Sequence, residues 1–170
     1  MRKIGQIFSF LIPVIALVAL VVFMTGAGIR RRAKLKEMKA KYDLMHEAWN
    51  TGNADLLDEV HARDIVRHGP GSPWVEEDFE GVKQRLLNTH KEFPGLQITT
   101  DEIIIEGDRS ADRYTMRAPL KNGKELVVQG ACVHHWVDGK IVEVWEYADW
   151  LGLYQQLGYK LVPPEEQGGK

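Results

Sequence analysis

Three rhythms of apolar and polar positions divide the chain. From Ile7 to Met24 apolar residues run without a charge, interrupted mainly by Ser9 and Pro13. A helix of roughly 20 such residues is what a bilayer core requires. Past Ala33 the spacing becomes three and four: Leu35, Met38, Tyr42, Met45 and Trp49 form one helical stripe, which Asn50-Thr51-Gly52-Asn53 ends. A short second helix is expected from Ala54, a short strand over Asp64–His68 and a turn-rich break from Gly69. Helical period returns through Phe79, Val82, Leu86 and Leu87, with acidic residues in the first turn, where the helix dipole favours them. Beyond Pro94-Gly95 the period falls to two. Gln97–Glu106, Arg109–Ala118, Glu125–Val137 and Lys140–Asp149 read as strands joined by turns at Gly107-Asp108, Asn122-Gly123 and Asp138-Gly139.

Helices followed by an antiparallel meander define an α+β class: a curved antiparallel sheet wrapped on three helices, open at one end, preceded by one transmembrane helix. The expected divisions are an anchor over 1–29, a basic juxtamembrane start over 30–41, an α+β domain over 42–160 and a flexible tail over 161–170. The open end is where a pocket would sit.

Charge sharpens the division. Residues 1–41 carry nine Lys or Arg against one acidic residue, and residues 42–170 carry 13 against 23. Two readings fit the N-terminus, a cleaved signal ending near Thr25-Gly26-Ala27 and an uncleaved anchor; the apolar length and the basic Arg30–Lys41 flank favour the anchor. Only Arg2 and Lys3 precede the span, so the positive-inside bias places the rest of a single-pass protein in the cytoplasm. The basic stretch suits anionic headgroups, and an acidic remainder excludes nucleic acid as a partner. One cysteine, Cys132, offers no disulfide framework.

Candidate chemistry gathers on the last hairpin. If Asp138-Gly139 is the turn's centre, Val137 pairs with Lys140, His134 with Glu143, Cys132 with Trp145 and Val128 with Asp149. One face then carries Glu143, Trp145, Tyr147 and Asp149 with His134. The opposite face carries Val142, Val144 and Ala148 with His135, and a slip of one residue would exchange the two histidines. Arg113 and His68 can reach the same place if their strands align with it. An Asp149 walled by Trp145 and Tyr147 would be desolvated into a proton-transfer group. It also occupies a position suited to an N-cap for the helix that follows.

These residues resemble a family. "FPGLQITTDEIIIEGDRSADRYTM" and "DGKIVEVWEYADWLGLYQQLG", with "DIVRH" and a helix opening in "FEG" ahead of them, are similar to the SnoaL-like polyketide cyclases of the nuclear transport factor 2-like superfamily. The resemblance runs from about Tyr42 to Gly158. It implies a cone with an internal pocket, a homodimer through the sheet, and acid–base aldol cyclisation of a polycyclic ester without metal or cofactor. The family's catalytic Asp falls on Asp149, its pocket His on His68 and its strand Arg on Arg113. Trp145, Tyr147, His134, Glu143 and Trp49 are then expected to contact substrate. Where family members continue the Arg strand into Gly-Thr-His-x-Gly, this chain has Met116, Arg117 and Ala118. Two further readings share the pocket. Epoxide hydrolysis would use Arg113 and Asp149 with Asp101, and a membrane-tethered binder would hold an apolar small molecule without turnover.

Overall fold

The computed structural model describes residues 2–72 and 76–162, with side chains from residue 26 onward except at 27. It divides into two compact units, residues 1–40 and 41–170. Helix α1 (Arg2–Thr51) runs through both. In the second unit a 3-10 turn (Ala54–Leu56) leads into α2 (Leu57–Val60), β1 (His61–His68), β2 (Glu76–Glu77) and α3 (Phe79–Glu92). Then come β3 (Gln97–Glu106), β4 (Arg109–Pro119), β5 (Glu125–Val137), β6 (Lys140–Ala148) and α4 (Trp150–Gln156). Among the described residues no helix is long and apolar enough to cross a membrane. The span expected at Ile7–Met24 falls on side chains outside those described, and so does the tail beyond Val162.

The expected meander forms, and it is larger than expected. The sheet has six strands in the order β2-β1-β6-β5-β4-β3. β1 runs parallel to β6, so the sheet is not wholly antiparallel as the sequence suggested. β2 is too short to announce itself by alternation. The Asp138-Gly139 turn has positive φ at both residues, 49° and 74°, the geometry that matches hairpin twist.

Three sets of apolar residues fix the layers. On α3, Phe79, Val82 and Leu86 are buried at three- and four-residue spacing, while Leu87 is left exposed. Asp78 caps this helix by accepting from the Gly81 amide at 2.8 Å. Leu57, Val60 and Ile65 are buried in the segment running from α2 into β1. At the far end Phe93, Leu96, Ala118, Leu126, Val128 and Leu153 form one buried cluster. Burying each large member stabilises by roughly 1.5–3 kcal/mol.

Helix α4 closes that end by a specific clamp. Asp149 accepts from the Gly152 amide at 2.8 Å, and a side chain at 152 would collide with the Asp149 carboxylate. One turn on, Gln156 accepts from the Val127 amide at 2.9 Å and donates to the Val127 carbonyl at 2.8 Å. The D-x-x-G-x-x-x-Q part of the motif therefore docks a helix on strand β5.

Candidate active site

The register of the last hairpin decides which chemistry faces inward. Val137 pairs with Lys140 and Trp136 with Ile141, as the turn dictates, but His135 then pairs with Glu143. Val142 is an extra residue on β6, and a bulge of this kind sends every later side chain to the other face. His134 pairs with Val144, Cys132 with Glu146 and Gly130 with Ala148. The inner face thus carries Val144 and Ala148, from the face expected to be bland, with Glu146 between them. Of the two histidines, His134 is the inner one and is buried.

This face, with α1, α3 and α4, encloses a cavity of about 310 Å³. Met45, Trp49, Ile65, Val82, Met116 and Leu153 supply its apolar wall. Its polar end holds two clusters. The first is a charge-balanced floor. Arg67 from β1 donates to Glu146 through Nε at 2.9 Å and again through Nη2. Its Nη1 donates to Glu77 at 2.8 Å. Arg85 from α3 donates to the same Glu77 at 2.9 Å and lies 3.7 Å from Glu146. The Tyr114 hydroxyl donates to the other Glu146 oxygen at 2.6 Å. Burial pushes Glu146 up, but Arg85, Arg67 and the Tyr114 hydroxyl outweigh it and hold the carboxylate at about 2. Tyr114 reaches Glu146 by lying over Gly130, where an added Cβ would sit 2.5 Å from its hydroxyl oxygen.

The second cluster is built on Tyr42. Its hydroxyl lies 2.8 Å from Ser110 Oγ, 2.7 Å from His134 Nδ1 and 3.2 Å from Asp112 Oδ1, to which it donates. The Trp136 indole N–H donates to the same Ser110 oxygen at 2.8 Å. Burial pushes Asp112 up to about 6, against the Tyr42 hydrogen bond and aided by Glu146. Burial, with His61 nearby, holds the His134 ring at about 3, so it is neutral at pH 7. His61 is itself held at about 4 by burial, Arg85 and Lys140, and its Nδ1 has no hydrogen-bond partner among the described residues.

Asp112, Cys132 and His134 each offer one ligand-type atom, all within 4.8 Å of one another, a grouping that would admit a metal ion. In the structure Tyr42 bridges the carboxylate and the imidazole, and burial, Glu146 and Asp112 push the Cys132 thiol well above its ordinary value.

Of the residues expected here, Trp49 and His134 line the cavity. Asp149 is exposed and caps α4. His68, Trp145 and Glu143 do come together, but on the outer face of the sheet. His68 stacks on Trp145 with ring centroids 4.1 Å apart, and its Nε2 lies 3.5 Å from Glu143. Tyr147 is 52% exposed on that side. Arg113 is also outside, paired with Asp101 at 3.1 Å.

Five polar cavity residues went unread as site residues, Arg67, Arg85, Asp112, Tyr114 and Glu146, as did Tyr42, which binds Asp112 and His134. Some were available in the alternation. Ile65 and Arg67 share a face of β1, and Asp112, Tyr114 and Met116 share one of β4. Arg85 and Tyr42 stand on helices, and Glu146 depended on the bulge.

A curved sheet wrapped on helices around a cavity with an apolar wall and a polar end is the nuclear transport factor 2-like fold. The sequence-family model described as SnoaL-like polyketide cyclase matches residues 39–157, and the chain belongs to that family. Wild-type IdmH of Streptomyces antibioticus, described as a candidate polyketide cyclase, is 27% identical over 72% of this chain and 99% of its own, with a TM-score of 0.63. A candidate polyketide cyclase of Acidithiobacillus ferrooxidans is 28% identical over 73% and 94%, TM-score 0.61. AclR of Streptomyces galilaeus, described as a candidate hydroxylase, is 26% identical over 76% and 90%, TM-score 0.64. No curated protein matches the chain.

Proposed function

We propose that the protein is a cofactor-independent acid–base enzyme that moves a proton next to the carbonyl of a neutral, apolar, ring-containing substrate. The observation that carries this reading is Asp112: a buried carboxylate in the wall of an apolar cavity, poised at about 6. A base of that strength is largely ionised at pH 7 and still basic enough to hold an abstracted proton. The C–H bonding pair stays on the substrate as an enolate, and the proton ends on Asp112. Two arginines and two glutamates balance one another in the floor, so among the described residues lining the site no surplus cation attracts an anionic ligand. The kinship with IdmH supports a cyclase-type reaction.

Asp112 takes the role that the family resemblance assigned to Asp149. The apolar run Ile7–Met24 and the basic Arg30–Lys41 flank support a tethered protein that draws lipid-soluble substrate from a membrane, with the enzymatic unit on the cytoplasmic side. The exposed Val133, Trp145 and Tyr147 support pairing of two copies through the outer sheet face.

The test is exchange of α-hydrogens for deuterium in 2-tetralone and two tricyclic ketones, followed by NMR in D2O. Wild-type protein accelerates exchange of at least one. Asp112→Asn lowers the rate by about 10²-fold or more while leaving affinity within about threefold. Tight binding of all three ketones with exchange no faster than in buffer would replace the enzyme with a tethered binder.

A further inference from the structure

Asp112 and His134 are almost sealed, with side chains 3% and 2% exposed. Among the described residues the polar partners of the imidazole are Tyr42 and Asp112, both at Nδ1. That leaves Nε2 as the remaining polar atom of a ring in the cavity wall. Asp112 Oδ1, in turn, already accepts from Tyr42. The question is how a proton from a ligand in the cavity reaches this carboxylate.

We infer that His134, Tyr42 and Asp112 form a proton relay in which the imidazole takes a proton at Nε2 and passes the one on Nδ1 through the Tyr42 hydroxyl to the Asp112 carboxylate. This rests on the acid–base reading above and supplies its path. In the resting state Tyr42 donates to ionised Asp112, so its oxygen is free to accept from His134 Nδ1–H. Three protons then move together. The substrate C–H breaks as Nε2–H forms, Nδ1–H breaks as a new Tyr42 O–H forms, and the old Tyr42 O–H breaks as Asp112 O–H forms. The imidazole ends as the other neutral tautomer, the phenol is unchanged, and one negative charge has moved from Asp112 to the substrate.

The surroundings favour this over simpler routes. A histidine acting alone would become a cation, which burial and the adjacent His61 oppose. A tyrosinate is opposed by burial and by Asp112, which push the Tyr42 phenol well above its ordinary value. Only the carboxylate can change charge near neutrality, and the relay changes no other charge on the protein. Ser110, itself held by the Trp136 N–H, lies 2.8 Å from the Tyr42 oxygen and fixes it between the other two groups. The titratable groups facing Asp112 are Tyr42 from α1, Cys132 and His134 from β5 and Glu146 from β6. Cys132 stays a thiol, and Glu146 stays a carboxylate to about 2. His46 and His61 face His134, and burial lowers both.

The relay ties the tautomer of His134 to the charge of Asp112, which no purely structural role for Tyr42 requires. The test uses the full chain in detergent with 15N-labelled histidine, and His134 is assigned by the signal that His134→Gln removes. As pH falls through the Asp112 midpoint, read from its carboxyl 13C shift, His134 should pass from Nδ1–H to Nε2–H without an imidazolium signal. In Tyr42→Phe the tautomer should stay fixed while Asp112 still titrates, and 2-tetralone exchange should fall about 10²-fold. A wild-type tautomer that does not change across that midpoint, or an imidazolium signal there, overturns the relay without needing any variant. Exchange within threefold of wild type in Tyr42→Phe, with Asp112→Asn inactive, removes the relay and leaves Asp112 as base. An active Asp112→Asn removes the acid–base reading itself, whatever the tautomer does.

Discussion

The two faces of the β6 region carry nearly the same inventory and put it to opposite use. Outside, His68, Trp145, Glu143 and Arg109 make a cluster, with Arg113 paired to Asp101 nearby. Inside, His134, Tyr114, Glu146, Arg67 and Asp112 do the same. Outside, water screens each pair, and the Arg113 side chain is 54% exposed. Inside, the same charges have lost water and depend on one another. What separates an ordinary ion pair from a candidate catalytic group is therefore the side of the sheet, not the residue type.

The sharpest way to break this comparison is to remove one arginine from each face. Arg67→Met leaves Glu146 and Glu77 buried with a single guanidinium between them and should cost about 3–5 kcal/mol in urea unfolding. Arg113→Met should cost less than about 1 kcal/mol. Equal losses would mean that the inner charges are as well solvated as the outer ones.

The next effect is packing across the inner face. Gly130→Ala places a methyl group where the Tyr114 ring lies. We expect a loss of about 1–3 kcal/mol by thermal melting, together with loss of the Tyr114–Glu146 hydrogen bond. Gly130→Ala in a Tyr114→Ala background should be close to neutral.

Proton linkage gives a third, opposite in sign for two inner carboxylates. Asp112 is raised from 3.8 to about 6, so the stability associated with its neutral form is complete below pH 3.8 and lost as pH rises through about 6. Glu146 is lowered from 4.5 to about 2, so its contribution is present above 4.5 and lost as pH falls through about 2. Urea midpoints should show the first decline in wild type but not in Asp112→Asn. Turnover needs ionised Asp112 and should rise with pH, half-maximal near 6.

The smallest effect belongs to Asp149. Asp149→Ala removes the α4 cap and should cost about 1 kcal/mol, with α-hydrogen exchange unchanged. Exchange falling as far as in Asp112→Asn would return the catalytic role to position 149.

The fold was legible because it is written in period. The stripe Tyr42, Met45 and Trp49, the stripe Phe79, Val82 and Leu86, and four alternating strands between glycine turns all carry their own geometry. The parallel pairing of β1 with β6 joins segments distant in sequence, and local pattern does not encode partner choice. The family was legible from the Asp138–Gly158 motif, yet that motif describes a hairpin turn and the docking of α4 more than it describes chemistry. The site was legible only in part. Trp49 reaches the cavity wall along the helical stripe that contains it, and His134 lines the cavity although Glu143 and Trp145, expected on its face, point outward. Glu146 was not legible, because its direction depends on a bulge that no turn residue announces. Arg67 and Arg85 were passed over because a lone arginine reads as surface, and only the facing glutamates make burial affordable.

Val142 has no partner across the hairpin and no group that could react, yet the placement of chemistry along β6 follows from its being left out of the ladder. Excising it would join Ile141 directly to Glu143 in an unbulged hairpin, in which Glu143 still pairs with His135 and Glu146 with Cys132, so the inner and outer sets stay where they are. When this chain is lined up with its kin, a one-column gap at that point moves no chemistry across the sheet, whereas a regular ladder that kept Val142 in register would swap lumen for exterior over six consecutive positions.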